Sequence, residues 1–88
     1  MSKDIKIEVT QEDIDRGEKG DCAKCPIARA IRRTLKVRYV HVDTDFLEWG
    51  PDYSCMNAPV KVSKFIDAFD EGRRVSPFTF MLKDLDGE

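Results

Sequence analysis

Gly20-Asp21-Cys22-Ala23-Lys24-Cys25-Pro26-Ile27-Ala28-Arg29-Ala30-Ile31-Arg32-Arg33-Thr34-Leu35-Lys36-Val37-Arg38-Tyr39-Val40-His41-Val42 is the stretch in which the hydrophobic period changes and the fold class is decided. Ile27, Ala30, Ile31 and Leu35 recur on one helical face, while Arg29, Arg32, Arg33 and Lys36 fall on the other. Asp21 offers a carboxylate to the first free amides, so the spacing predicts a helix over about residues 22 to 35, and Pro26 confines its start to the first turn. Residues 37 to 42 are then rich in β-branched side chains and read as a strand, with the inward face left open between Tyr39/His41 and Val40/Val42.

Working outward, Ile5, Ile7 and Val9 alternate with Lys6 and Glu8, the pattern of a strand buried on one face. Thr10 and Asp13 have the spacing of a capping box and predict a short helix over residues 11 to 16, stopped at Gly17. On the other side, Phe46 to Trp49 and Tyr53 to Met56 flank Gly50-Pro51-Asp52, two strand-like runs around turn residues that predict a hairpin. Pro59 suits a helix start. Val62, Phe65, Ile66 and Phe69 follow at helical spacing, and Gly72 is placed to end the helix. Phe78, Phe80 and Leu82 alternate after Pro77 as a closing strand that pairs naturally with the first. Strands with one apolar face need a cover, and two amphipathic helices supply it. The expected architecture over residues 1–88 is therefore one α+β domain: a small two-layer sandwich, with a mainly antiparallel sheet of three to five strands under two main helices.

The 88 residues are 41% hydrophobic and 36% charged, the composition of a folded domain with a heavily charged surface. No apolar run reaches the roughly 18 residues needed to span a bilayer, and the first residues lack the hydrophobic segment of a secretion signal, so a cytoplasmic location without membrane contact is expected. Three cysteines, an odd number, point to reduced thiols rather than a disulfide framework. The net charge of −2 conceals an asymmetry. Residues 22 to 42 hold six of the fifteen basic side chains and no acid, which leaves nine basic against all 17 acidic side chains elsewhere.

Several chemistries compete for these residues. Cys22 and Cys25 sit near a helix start, where free amides and the helix dipole favour a thiolate, as in thiol redox sites. The thioredoxin-like pattern is nevertheless broken: a helical turn and a Gly-containing loop separate Val9 from Cys22, and Asp21 stands beside the first sulfur. Cys22, Cys25, His41 and Cys55 supply the donor types of a zinc site, although only one close pair is present. With neither chemistry, no cofactor is expected and the cysteines simply pack. Arg29, Arg32 and Arg33 would give phosphate affinity, but the pI of 5.4 argues against nucleic acid as a partner. Trp49 and Tyr53, near the hairpin tip, are anchor types for a protein partner, and both fit a core equally well. One histidine, no nucleophile elbow and no phosphate loop leave thiol redox as the only enzymatic alternative to a non-enzymatic reading.

The segments Ile7-Glu8-Val9-Thr10-Gln11-Glu12-Asp13-Ile14, Gly20-Asp21-Cys22 with Cys25-Pro26-Ile27-Ala28, Phe65-Ile66 with Phe69-Asp70-Glu71-Gly72, and Val75-Ser76-Pro77-Phe78-Thr79-Phe80 carry a resemblance. Through them the chain resembles a family of small uncharacterised proteins encoded by bacteriophages and by bacteria carrying prophages. Residues 36 to 58 have no clear counterpart in it. The resemblance implies a phage-type accessory protein acting in a bacterial cytoplasm. Such proteins commonly bind a host protein, a likeness of class rather than of residues. The expectation is thus a protein-binding module that engages a host protein through Trp49 and Tyr53 or through Arg29, Arg32 and Arg33, with a homodimer as an open alternative.

Overall fold

The computed structural model describes residues 4–83. Their order is β1 (Asp4–Val9), α1 (Gln11–Arg16), α2 (Pro26–Leu35), β2 (Val40–Val42), β3 (Phe46–Trp49), β4 (Ser54–Asn57), α3 (Val60–Asp70) and β5 (Phe78–Lys83). The class is α+β, with five antiparallel strands, as the alternation of periods requires. They form two sheets rather than one: a β1–β5 ribbon and a β2–β3–β4 meander. The reason lies at the outer edge of β2, where the Val42 N–H donates to the Cys22 carbonyl at 2.9 Å. A loop, not β1, meets that edge.

In the ribbon, the register sets Ile5 opposite Leu82, Ile7 opposite Phe80 and Val9 opposite Phe78, so these six apolar side chains share one face. The opposite face carries Lys6 against Met81 and Glu8 against Thr79, with Asp4 and Lys83 paired at the end. In the meander, Val40 and Val42 point inward with Trp49 and Leu47 opposite them, which settles the open parity of β2 and sends His41 to the outer face. Helix α2 packs on both β1 and β2, and thereby ties the two sheets into one core with Ile27, Ala28, Ala30 and Ile31 at its centre. Helix α3 adds Val62, Phe65, Ile66 and Phe69.

Two helix ends follow their sequence signals. Thr10 and Asp13 form the reciprocal capping box of α1. At the end of α3, the Arg73 N–H reaches the Ala68 carbonyl and the Gly72 N–H the Phe69 carbonyl, the Schellman pattern, with Gly72 at φ +78. The start of α2 differs from expectation. The Asp21 carboxylate accepts from the Ala23 and Lys24 amides and closes a separate turn, so the helix begins at Pro26 rather than near residue 22. Proline at the first helical position disfavours helical geometry in the residue before it, and Cys25 is accordingly extended at φ −70, ψ 165. Its Sγ takes the capping role, accepting from the Ala28 N–H at 3.4 Å.

Candidate functional site

The basic face of α2 is not a free surface. Asp13, on α1, has no solvent exposure, and its two carboxylate oxygens accept from Arg33 Nη1 at 2.6 Å and Nη2 at 3.0 Å. The Thr10 N–H donates to the same carboxylate at 3.0 Å, and Arg29 Nε lies 3.6 Å from Oδ1. Burial alone would push the Asp13 carboxyl up. The Arg33 guanidinium and the Thr10 amide outweigh it and hold the group below the usual carboxylate range. Arg33 also donates to the Glu8 carbonyl, so this cluster joins α1, α2 and β1. Arg32 is committed elsewhere, to the carbonyls of Ala23 and Arg38. The three arginines read from sequence as a solvated binding face therefore lock one helix to its neighbours.

The two aromatic candidates separate. Trp49 is 6% exposed and belongs to the core, opposite Val40, so it is not a surface anchor. Tyr53 is 68% exposed in the turn between β3 and β4, and its backbone sits at φ +57, a region that large side chains seldom occupy. Its ring meets that of Tyr39 edge-on at 5.3 Å, and Tyr39 is itself 40% exposed. Around the two rings lies a recess of about 380 Å³ lined by Lys36, Val37, Arg38 and Pro51. In the sequence, Tyr39 poses only a question of strand parity. Its outward face was fixed once Val40 turned in.

The four proposed zinc donors also separate. Cys25 is buried as the α2 cap, and burial pushes its thiol up to about 11 although the Ala28 and Ile27 amides oppose the shift. Cys55 lies on β4, across Glu48 from His41 on the outer face of the meander. That places it two strand spacings, about 10 Å, from the histidine backbone. Cys22 and His41 do come together, and Asp43 joins them. The donor atoms of Cys22, His41 and Asp43 all lie within 4.8 Å of one another. Asp43 was missed in the sequence, yet it follows His41 by two residues and shares its strand parity. Partial burial pushes the Cys22 thiol up, and Asp43, Asp21 and Asp70 push it the same way. Neither member of the Cys-x-x-Cys pair has the lowered thiol pKa that redox catalysis uses.

Among the described residues, no helix is long and apolar enough to cross a membrane. The chain matches no protein-family model, no curated protein and no solved structure.

Proposed function

We propose that this chain is a non-enzymatic protein-binding module whose contact surface is the Tyr39–Tyr53 face beside the β3–β4 turn. One observation carries the reading: Tyr53 holds a positive φ with its ring in solvent. A non-glycine residue in that conformation costs on the order of 1 kcal/mol, and an exposed ring returns little of it through core packing. Tyrosine is also among the residue types that dominate binding energy at protein interfaces. The recess beside the two rings is apolar at Val37 and Pro51 and basic at Lys36 and Arg38, a chemistry that fits an acidic segment bearing an apolar or aromatic side chain. The resemblance to phage-encoded proteins directs the search for that segment to proteins of a bacterial host, in the host cytoplasm.

Nucleic-acid binding through Arg29, Arg32 and Arg33 draws no comparable support, because their guanidinium groups are turned to Asp13 and to backbone carbonyls. The experiment is capture from host lysate with the purified chain, side by side with the double variant Tyr53→Ala/Arg38→Glu. Both positions are exposed, so the variant is expected to fold, which its circular dichroism checks. The partner is expected to be lost in the variant. Equal capture by wild type and folded variant, or no partner for either, overturns the reading. Sedimentation of the same two proteins tests the homodimer: a dimer that the double variant dissociates would make a second copy the occupant of this face.

A further inference from the structure

We propose that Cys22, His41 and Asp43 bind a divalent transition-metal cation, with Zn²⁺ the preferred ion. A thiolate, an imidazole and a carboxylate together make the mixed soft and borderline donor set that zinc takes and that calcium or magnesium does not. The three residues come from two segments held together by the backbone bond from the Val42 N–H to the Cys22 carbonyl, so their meeting is built into the fold. Asp43 is oriented as well. Its Oδ1 accepts from the Thr44 N–H at 2.7 Å, while Oδ2 stands 3.8 Å from His41 Nε2. The imidazole ring stacks on Phe46 at 5.4 Å, which limits its rotation.

Bond lengths of about 2.0 to 2.3 Å place donors about 3.3 to 3.7 Å apart around a tetrahedral zinc. The His41–Asp43 pair is already close to that separation, and the full span within 4.8 Å closes by small side-chain rotations. Beside the cluster is a cavity of about 100 Å³ lined by Cys22 and Asp43 of the cluster together with Asp21 and Asp70. It is well below the roughly 300 Å³ at which organic-ligand pockets begin, and it suits an ion with its water. The carboxylates of Asp21 and Asp70 around this cavity add negative charge that favours a dication there; on binding, the thiol proton passes to solvent and the sulfur becomes the metal's ligand. Cys25 lines the same cavity but its Sγ is held by the Ala28 N–H as the α2 cap, and Cys55 lies across the meander, so three protein ligands leave the fourth position to water. This inference is independent of the protein-binding face.

The test is titration of the reduced 88-residue chain with Co²⁺ alone, followed by Zn²⁺. Wild type is expected to develop a thiolate-to-cobalt charge-transfer absorption together with the visible bands of a tetrahedral ion, both removed by one equivalent of Zn²⁺ as the tighter-binding metal. Cys22→Ser should abolish the charge-transfer band, and His41→Gln and Asp43→Asn should each weaken cobalt binding at least tenfold. Cys55→Ser should leave the spectrum unchanged. Circular dichroism of each variant establishes that it is folded, and His41→Gln carries the test if Cys22→Ser is not. Zn²⁺ should also slow alkylation of Cys22 and not of Cys55. A featureless wild-type titration, a charge-transfer band that survives Cys22→Ser, or one that disappears with Cys55→Ser overturns the proposal.

Discussion

Replacing Asp13 by Ala removes the one fully buried carboxylate among the described residues, together with every bond it makes. The backbone bond from the Asp13 N–H to Thr10 Oγ1 survives, because alanine keeps the amide. The return bond from the Thr10 N–H is lost, at about 1 kcal/mol. The two charge-assisted bonds to Arg33 are lost as well; taken as one bidentate pair to a half-exposed guanidinium, they contribute about 1.5 to 3 kcal/mol. Breaking a fully buried ion pair costs about 3 to 5 kcal/mol, but the Arg33 side chain is 49% exposed and can hydrate, which keeps the loss near the lower end. We expect a destabilisation of about 3 kcal/mol in urea unfolding with an unchanged m-value, and a melting temperature lower by about 12 to 24 °C. A domain of this size has only about 4 to 13 kcal/mol in total, so the variant is severely weakened. The pH dependence has a definite sign. Asp13 titrates below its unfolded value near 3.8, so its contribution is complete above that pH and fades as pH falls through the folded value. Wild type and variant should therefore converge in stability below about pH 4. A loss under about 1 kcal/mol at neutral pH, or a gap that widens in acid, would refute the account of the cluster.

Two further outcomes follow from burial. Trp49→Ala should cost about 3 to 5 kcal/mol in denaturant unfolding, since it empties a core position; a variant as stable as wild type would return Trp49 to the surface. Native protein treated with an aromatic disulfide reagent near pH 8 should titrate Cys22 and Cys55 promptly and Cys25 only after unfolding, because Cys25 is buried and its thiol is raised to about 11. Three equally fast thiols would contradict both statements.

What the sequence disclosed was local. The alternation of Ile5, Ile7 and Val9, the Thr10/Asp13 box and the Val62, Phe65, Ile66, Phe69 stripe each depend on a few consecutive residues, and each appears where its pattern places it. The start of α2 was misread because Asp21 has the chemistry of a cap and uses it, but on a turn of its own. Phe46-Leu47-Glu48-Trp49 carries an apolar residue in both alternations, so only pairing with Val42 and Val40 decides that Leu47 and Trp49 face inward. The Asp13–Arg33 pair spans 20 residues, and a charged side chain opposite an apolar stripe looks solvated until its partner is in place. The candidate site was half legible. Cys22 and His41 had the right chemistry, but their meeting depends on a loop carbonyl capping a strand edge, and the Cys25 and Cys55 sulfurs were assigned to it by type alone.

The ribbon of β1 and β5 joins residues far apart in the chain: even its closest pair, Val9 and Phe78, is separated by 69 positions, and Asp4 meets Lys83. At a translation rate of about 5 to 20 residues per second, β1 leaves the ribosome some 3 to 14 seconds before its partner exists. Through that interval Ile5, Ile7 and Val9 form an apolar strand whose hydrogen-bonding edge has nothing of its own to pair with. Crowded synthesis of many copies at once should therefore favour strand exchange between neighbouring nascent chains, and yield from overexpression should fall more steeply with rate of production than the stability of the finished fold would indicate.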